Sequence, residues 1–299
     1  MVLATTMLSL GALLGLAGQK DDAHQGATTS SAAGQVAAPV VDSKFLRNLP
    51  HALRLPTADD EVGWRVLADY GAVFVARGRL TPPPEIIFPD ERAVTDWQSS
   101  LKTKRLKLGE VVVELQAPAA GALLSARREA RVQGLDISPR GRDAARRSYR
   151  DTVKLWASRV EPGLKHWVSA GRLTKQESDR IRALPPREQV AGILRLEKQG
   201  ILFSKDFSKS ILYSVAAPGT SQHISMLALD VKEHALLPVR ALLERHGWYQ
   251  TVVSDLPHFT YLGIMEQDLP PLGLKRVHTL GRTFWIPDLD ATPQGYGKP

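Results

Sequence analysis

The chain has 299 residues, 43% of them hydrophobic, which is enough apolar material to enclose one sizeable core. It contains no cysteine, so thiolate metal sites, thiol nucleophiles and disulfide frameworks are excluded, and any metal must be held by His, Asp or Glu. A formal charge of +8 suits an anionic partner without choosing one. The arginines cluster at 127–131 and 140–150 among acidic residues, as on a solvated helix face, and no aromatic platform or zinc-finger spacing accompanies them, so no nucleic-acid partner is expected.

In chain order, residues 7–17 (MLSLGALLGLA) form an apolar run of the length of a signal-peptide core, too short to span a bilayer. Residues 1–19 are therefore read as a signal peptide, with export to the periplasm or cell exterior and no stable membrane span. Residues 20–44, poor in large apolar side chains, read as a flexible linker, and residues 45–299 as a single α+β domain. An acidic first turn opens a helix over 58–70, and residues 72–76 (AVFVA) then read as a buried strand. A strand is expected over 110–116, a helix over 119–133 closed by Gly134, and a short strand over 135–138. Apolar residues at helical spacing predict a helix over 143–160, Thr174 with Glu177 predicts a capping box, and another helix runs from Val190 towards Gly200.

From residue 211 the pattern changes to short strands, at 211–216, 226–231, 251–254 and 258–262, interrupted by one helix over 238–246. The expected fold is α+β, with a small antiparallel sheet flanked by helices, and the polar residues of interest gather on region 211–263. His223 and Asp230 are seven apart, which on a helix separates them by about 10.5 Å along the axis and on a straight strand points them to opposite faces. Only a bend between them lets both reach one ion, and the small polar run at 218–222 suits a bend. His258 follows Pro257 at a strand start, with Asp255 three residues before it. A histidine taken alone is more often a hydrogen-bonded core or surface residue than a ligand.

The order Ser221-x-His223-x4-Ala228-x-Asp230, then His246-Gly247-Trp248, then Asp255-x-Pro257-His258-Phe259-x-Tyr261-x-Gly263, resembles the zinc D-alanyl-D-alanine carboxypeptidase family that includes the vancomycin-resistance carboxypeptidases and dipeptidases. The resemblance spans about 45 residues. It implies His223, Asp230 and His258 as zinc ligands, Asp255 at the general-base position, and Ser221 at a substrate contact. It also implies an upstream arginine that steadies the tetrahedral intermediate, placed at Arg142 with Arg140 as the alternative. The implied activity is a D,D-carboxypeptidase-like metallopeptidase acting on peptidoglycan stem peptides. The chain departs from the pattern in having Met226 where the family has glycine, a shorter stretch between Asp230 and His258, and Asp rather than Glu at position 255. Either the shorter loop carries Asp255 inward, or the enzyme is slow, altered in specificity or inactive, which leaves a catalytically inactive zinc-containing wall-binding protein as the alternative.

Other chemistries have less behind them. Ser99-Ser100-Leu101-Lys102 matches Ser-x-x-Lys, but neither Lys-Thr-Gly nor Ser-Asp-Asn occurs. His234 reads as a surface residue and His246 as a helix C-terminal residue favoured by the dipole.

Overall fold

The computed structural model describes residues 43–289. The expected signal peptide and all but the last two residues of the expected linker lie outside them. Ser43, inside that linker span, caps a helix: its hydroxyl accepts from Leu46 N at 3.1 Å and opens α1, Lys44–Arg47. No helix among the described residues is long and apolar enough to cross a membrane.

Helix α2, Glu61–Tyr70, starts where the Asp60 carboxylate accepts the Gly63 amide at 3.0 Å, and it buries Val62, Val66, Leu67 and Tyr70 along one stripe. The chain then forms a 3-10 helix, Gly71–Val75, where the sequence predicts a strand. Residues 72–76 are buried on every side and join no sheet. A wholly buried apolar run carries no alternation to separate strand from helix, and without a ladder its backbone pairs with itself. The expected strand at 211–216 likewise becomes a 3-10 turn, Ile211–Tyr213, held by the Glu197 carboxylate, which accepts from Ser210 Oγ and Ile211 N at 2.6 Å each.

Helix α3, Glu91–Ser99, precedes the hairpin of β1, Thr103–Leu108, and β2, Val111–Gln116, which runs directly into α4, Ala117–Val132. Residues 135–138 do not form the expected strand. The segment touches the sheet at one bridge, Pro139 to Val231. Helix α5, Tyr149–Ser169, begins six residues later than the 143–160 reading because Ser148 and Asp151 form a capping box there, and it continues through Pro162. The predicted Thr174–Glu177 capping box opens α6, Lys175–Arg182, and α7 spans Pro186–Glu197.

The central sheet has order β3-β5-β4, all antiparallel, with β3 at Ala228–Asp230, β4 at Trp248–Tyr249 and β5 at His258–Tyr261. Helix α8, Leu237–Arg245, links β3 to β4, while residues 251–254 are irregular rather than a strand. A last hairpin joins β6, Leu274–Thr279, to β7, Arg282–Pro287. The architecture is thus α+β, with small antiparallel sheets among helices. Trp156, Phe203, Trp248, Tyr249 and Phe259 are the large side chains at the centre of the core, and β4 and β5 contribute three of them. Phe88, Val94 and Ile224 form a smaller apolar cluster beside the sheet.

The segment entering the sheet region is pinned at Gly219, which has φ of +76°. Its carbonyl accepts from Phe88 N at 3.0 Å, its amide donates to Thr152 Oγ1 at 3.1 Å, and an added Cβ would lie 2.2 Å from the Phe88 carbonyl oxygen. Backbone cannot yield as the end of a side chain can. Gly219→Ala is therefore expected to lower stability by at least about 2 kcal/mol. The urea midpoint measures it, and a midpoint equal to the wild type's would show that the contact is not tight.

Candidate metal centre

Two of the three candidate ligands are brought together by strand register. Asp230, last residue of β3, pairs directly with His258, first residue of β5. Directly opposed residues have Cβ atoms about 4.5–5.5 Å apart, so one cross-strand pair delivers a carboxylate and an imidazole to the same place. The third ligand arrives by the bend that the spacing requires. His223 lies on a 3-10 turn, Gln222–Ser225, that ends at Met226 in the left-handed region with φ of 54°. Met226 stands where the resembled family has glycine, and its backbone takes the conformation for which glycine is suited. Ile224, next to His223, anchors the turn by packing against Phe88 and Val94, and Gln98 Nε2 donates to Ile224 O at 2.8 Å.

His223 Nε2, Asp230 Oδ1 and His258 Nδ1 form a nearly equilateral triangle with sides of 3.1, 3.1 and 3.2 Å. The outer partners assign the protons. His223 Nδ1 is 2.7 Å from the carbonyl oxygen of Ala145, which only accepts, so the proton is on Nδ1 and Nε2 presents a lone pair. His258 Nε2 is 2.8 Å from Gln222 Oε1, and the Gln222 amide is oriented by its own donation to Tyr70 O at 2.7 Å, so His258 carries its proton on Nε2 and turns the Nδ1 lone pair inward. Burial pushes the His223 pKa down against the pull of Asp230, which keeps the ring neutral. Burial pushes the Asp230 carboxyl up, and an inward proton on either imidazole would pull it far below the usual carboxylate range; with both ring protons turned outward, Arg147 on Oδ2 is the cation that favours the ionised form.

Three lone pairs therefore face one point with no proton among them. Neutral imidazole nitrogens and an ionised carboxylate are the forms that bind a metal. A tetrahedral ion with bonds of about 2.0–2.1 Å separates its ligand atoms by about 3.3–3.4 Å, close to the triangle here. His223, Asp230 and His258 are accordingly a group that could hold a metal ion. The outer ring is complete as well: Asp230 Oδ2 pairs with Arg147 Nη2 at 3.0 Å, leaving Oδ1 to point inward, and the Gln222 amide oxygen also accepts from Thr260.

The triangle lies in the wall of an open cavity of about 860 Å³, to which Ser221, Asp255 and Arg140 also contribute. Ser221 begins the 3-10 turn and makes no cap hydrogen bond with its side chain. Asp255 sits on the turn before β5, its amide donating to Val252 O and its carbonyl accepting from His258 N, each at 3.1 Å. Arg142, the favoured arginine, is elsewhere: it lines a separate pocket with Arg105, Glu114 and Arg146. Arg140, the alternative, is kept beside the triangle because its amide donates to Asp230 O at 2.8 Å. The segment carrying both arginines is neither helix nor strand, so no periodicity indicates which one faces inward. Sequence reasoning missed Gln222, which carries no signal beyond adjacency to His223, and Arg147, which reads as one more arginine of a solvated face.

Two outcomes follow from this geometry. Gln222→Ala removes the acceptor that orients His258 and is expected to weaken zinc binding by about 10- to 100-fold, measured by competition with a chromophoric chelator. Unchanged affinity would mean that the outer ring does not set the tautomer. In the metal-free protein the depressed His223 pKa means that the unfolded chain binds the extra proton first. Stability should then be full above about pH 6.5 and fall as the pH drops towards 5, until His223 itself protonates, while Asp230, whose pKa is also depressed, stays ionised throughout that window. Urea titrations in the presence of a chelator at pH 7 and pH 5 measure the loss.

No protein-family model matches the chain, and no curated protein does. Among solved structures the chain is similar to a zinc-bound variant of the vancomycin resistance D,D-pentapeptidase VanY from the VanB-type resistance cassette, with 17% identity over 62% of this chain and 87% of that one and a TM-score of 0.35. A likeness that distant leaves the reading of the site to its own geometry.

Proposed function

We propose that the protein is an exported zinc metallopeptidase that removes the C-terminal residue of peptidoglycan stem peptides, as a D,D-carboxypeptidase does. The observation that carries the proposal is the convergence of two imidazole lone pairs and a carboxylate oxygen in the wall of an open cavity that also presents a free-standing carboxylate, an arginine and a serine. The ordered Ser221, His223, Asp230, Asp255 and His258 motif, which resembles that of the D-alanyl-D-alanine carboxypeptidases, supports the choice of reaction, and the apolar run at residues 7–17 supports export.

Zinc held by His223, Asp230 and His258 would supply a Lewis acid that polarises the scissile carbonyl and makes water a stronger acid. Asp255 accepts the proton of the attacking water and returns it to the leaving amine. Arg140 takes the role first assigned to Arg142 and offers its guanidinium to the oxyanion, since Arg147 is committed to Asp230. Ser221 donates its hydroxyl to the terminal carboxylate of the substrate. Asp is one methylene shorter than Glu, and displacements of about 1 Å cost catalysis heavily, so turnover is expected to be slow.

Release of D-Ala from a stem peptide ending in D-Ala-D-Ala, followed by amino-acid analysis with the zinc-loaded protein, tests the proposal. Asp255→Ala should lower turnover at least about 100-fold with zinc content unchanged. Bound zinc with no release from any stem peptide would overturn the enzyme reading and favour the non-catalytic wall-binding one, for which the shortened carboxylate at position 255 is the supporting feature.

A further inference from the structure

The cavity has a second chemical feature that the metal and Asp255 do not use. Arg159 from α5, and Lys205 and Lys209 from the loop that follows α7, line it together with the triangle, and neither of those elements carries a metal ligand. None of the three pairs with a described carboxylate. Arg159 reaches only the Ser158 carbonyl and hydroxyl and leaves its buried Nε without a partner, while Lys209 lies 4.1 Å over the Tyr213 ring. Arg147, by contrast, is already neutralised by Asp230.

The loop is held rigidly. Ser204 is buried, its hydroxyl accepts from Ser208 N and Lys209 N at 3.1 and 2.9 Å and donates to Asp206 Oδ1 at 2.7 Å, and its amide donates to Lys209 O at 3.0 Å. Phe207 takes a left-handed backbone, φ 58°, and stacks on His166 of α5 with ring centroids 4.3 Å apart. Phe203 packs so closely against α5 that a Cβ on Gly163 would lie 2.3 Å from its ring. Asp206 is the loop's one acid and also lines the cavity; bonds from Ser204 and Ser208 hold its carboxyl down to about 2, and it pairs with neither lysine, so three cations face one carboxylate on this wall. The fixed backbone sets where both exposed lysine stems leave the loop, and Lys209 is held further by the Tyr213 ring, so these cations have less freedom to lose on meeting an anion than lysines on a mobile loop.

We infer that Arg159, Lys205 and Lys209 form a subsite for a second anionic group of the substrate, a carboxylate or phosphate upstream of the cleaved bond and distinct from the terminal carboxylate. The inference rests on the peptidase reading for the position of the cleaved bond, and on the cavity alone for the preference for anions. Neutral stem peptides then occupy the same cleft without the contribution of this wall.

Matched peptides ending in D-Ala-D-Ala test it, one pair carrying glutamate or glutamine upstream of the cleaved pair and a second pair carrying phosphoserine or serine. The zinc-loaded wild type should prefer the anionic member of at least one pair by about tenfold in kcat/KM, and which pair shows the preference separates carboxylate from phosphate. In the Lys205→Ala, Lys209→Ala double variant, whose side chains are exposed and outside the core, the ratio should fall to near one. Equal kcat/KM within both pairs for the wild type, or a ratio unmoved by the double variant, would overturn the subsite. Should no peptide be cleaved, calorimetric binding of the same pairs reads the same ratio: a preference lost in the double variant supports the subsite while the peptidase reading fails, and equal binding overturns the subsite too.

Discussion

Two imidazole lone pairs and a carboxylate oxygen held within 3.2 Å of one another repel unless a cation lies among them. Hydrogen bonding does not relieve the repulsion, because the only ring protons available are drawn outward, to Ala145 O and to Gln222 Oε1. The surroundings therefore hold an arrangement that is unfavourable when empty and favourable when filled, as expected of a site whose outer partners set ligand tautomer and orientation. Arg147 is part of the same design: by taking Oδ2 of Asp230 it limits that carboxylate to one inward oxygen and offsets its charge from the far side.

Much of the nearby fold serves to keep those three atoms in place. The Asp230–His258 pair is fixed by register, and a slip of β3 by one residue would turn Asp230 to the face opposite His258. His223 depends on tertiary restraint instead. Its turn ends at a methionine in the left-handed region, which costs roughly 1–2 kcal/mol, and that cost is offset because Met226 is almost wholly buried, a placement whose truncation costs several kcal/mol in a packed core. Gly219 against Phe88 and Ile224 against Val94 complete the support. Strain is tolerated where packing on both sides over-determines the backbone.

The sequence makes the candidate ligand set legible because two residue types, His and Asp, occur in a recognisable order around short alternating segments, and because a shared ion demands a bend between His223 and Asp230. Helices with local signals are legible for the same kind of reason: α6 and its capping box, α8 between its proline and Gly247. What stays hidden depends on distant partners. The 3-10 helix at Gly71–Val75 is decided by burial on all sides, and β1 and β6 escape notice because their alternation is carried by lysine and arginine rather than by an apolar run. Gln222 and Arg147 act on residues 36 and 83 positions away. Arg140 and Arg142 differ only in which way an irregular segment faces, which is settled by the pairing of that segment with Asp230 and Val231.

Zinc capacity and catalysis are separable in this arrangement, since the ligand triangle is complete without Asp255, Ser221 or Arg140. On the proposed peptidase reading, the cationic wall of the cavity would add specificity through charge, and the short carboxylate at 255 would govern rate. Metal content, by elemental analysis after zinc loading and desalting, of the wild type and of His258→Ala tests whether His223, Asp230 and His258 hold zinc. One zinc per chain in the wild type and a near-total loss in the variant, with the fold retained by circular dichroism, is the expected result. An equal zinc content in the two proteins would contradict it.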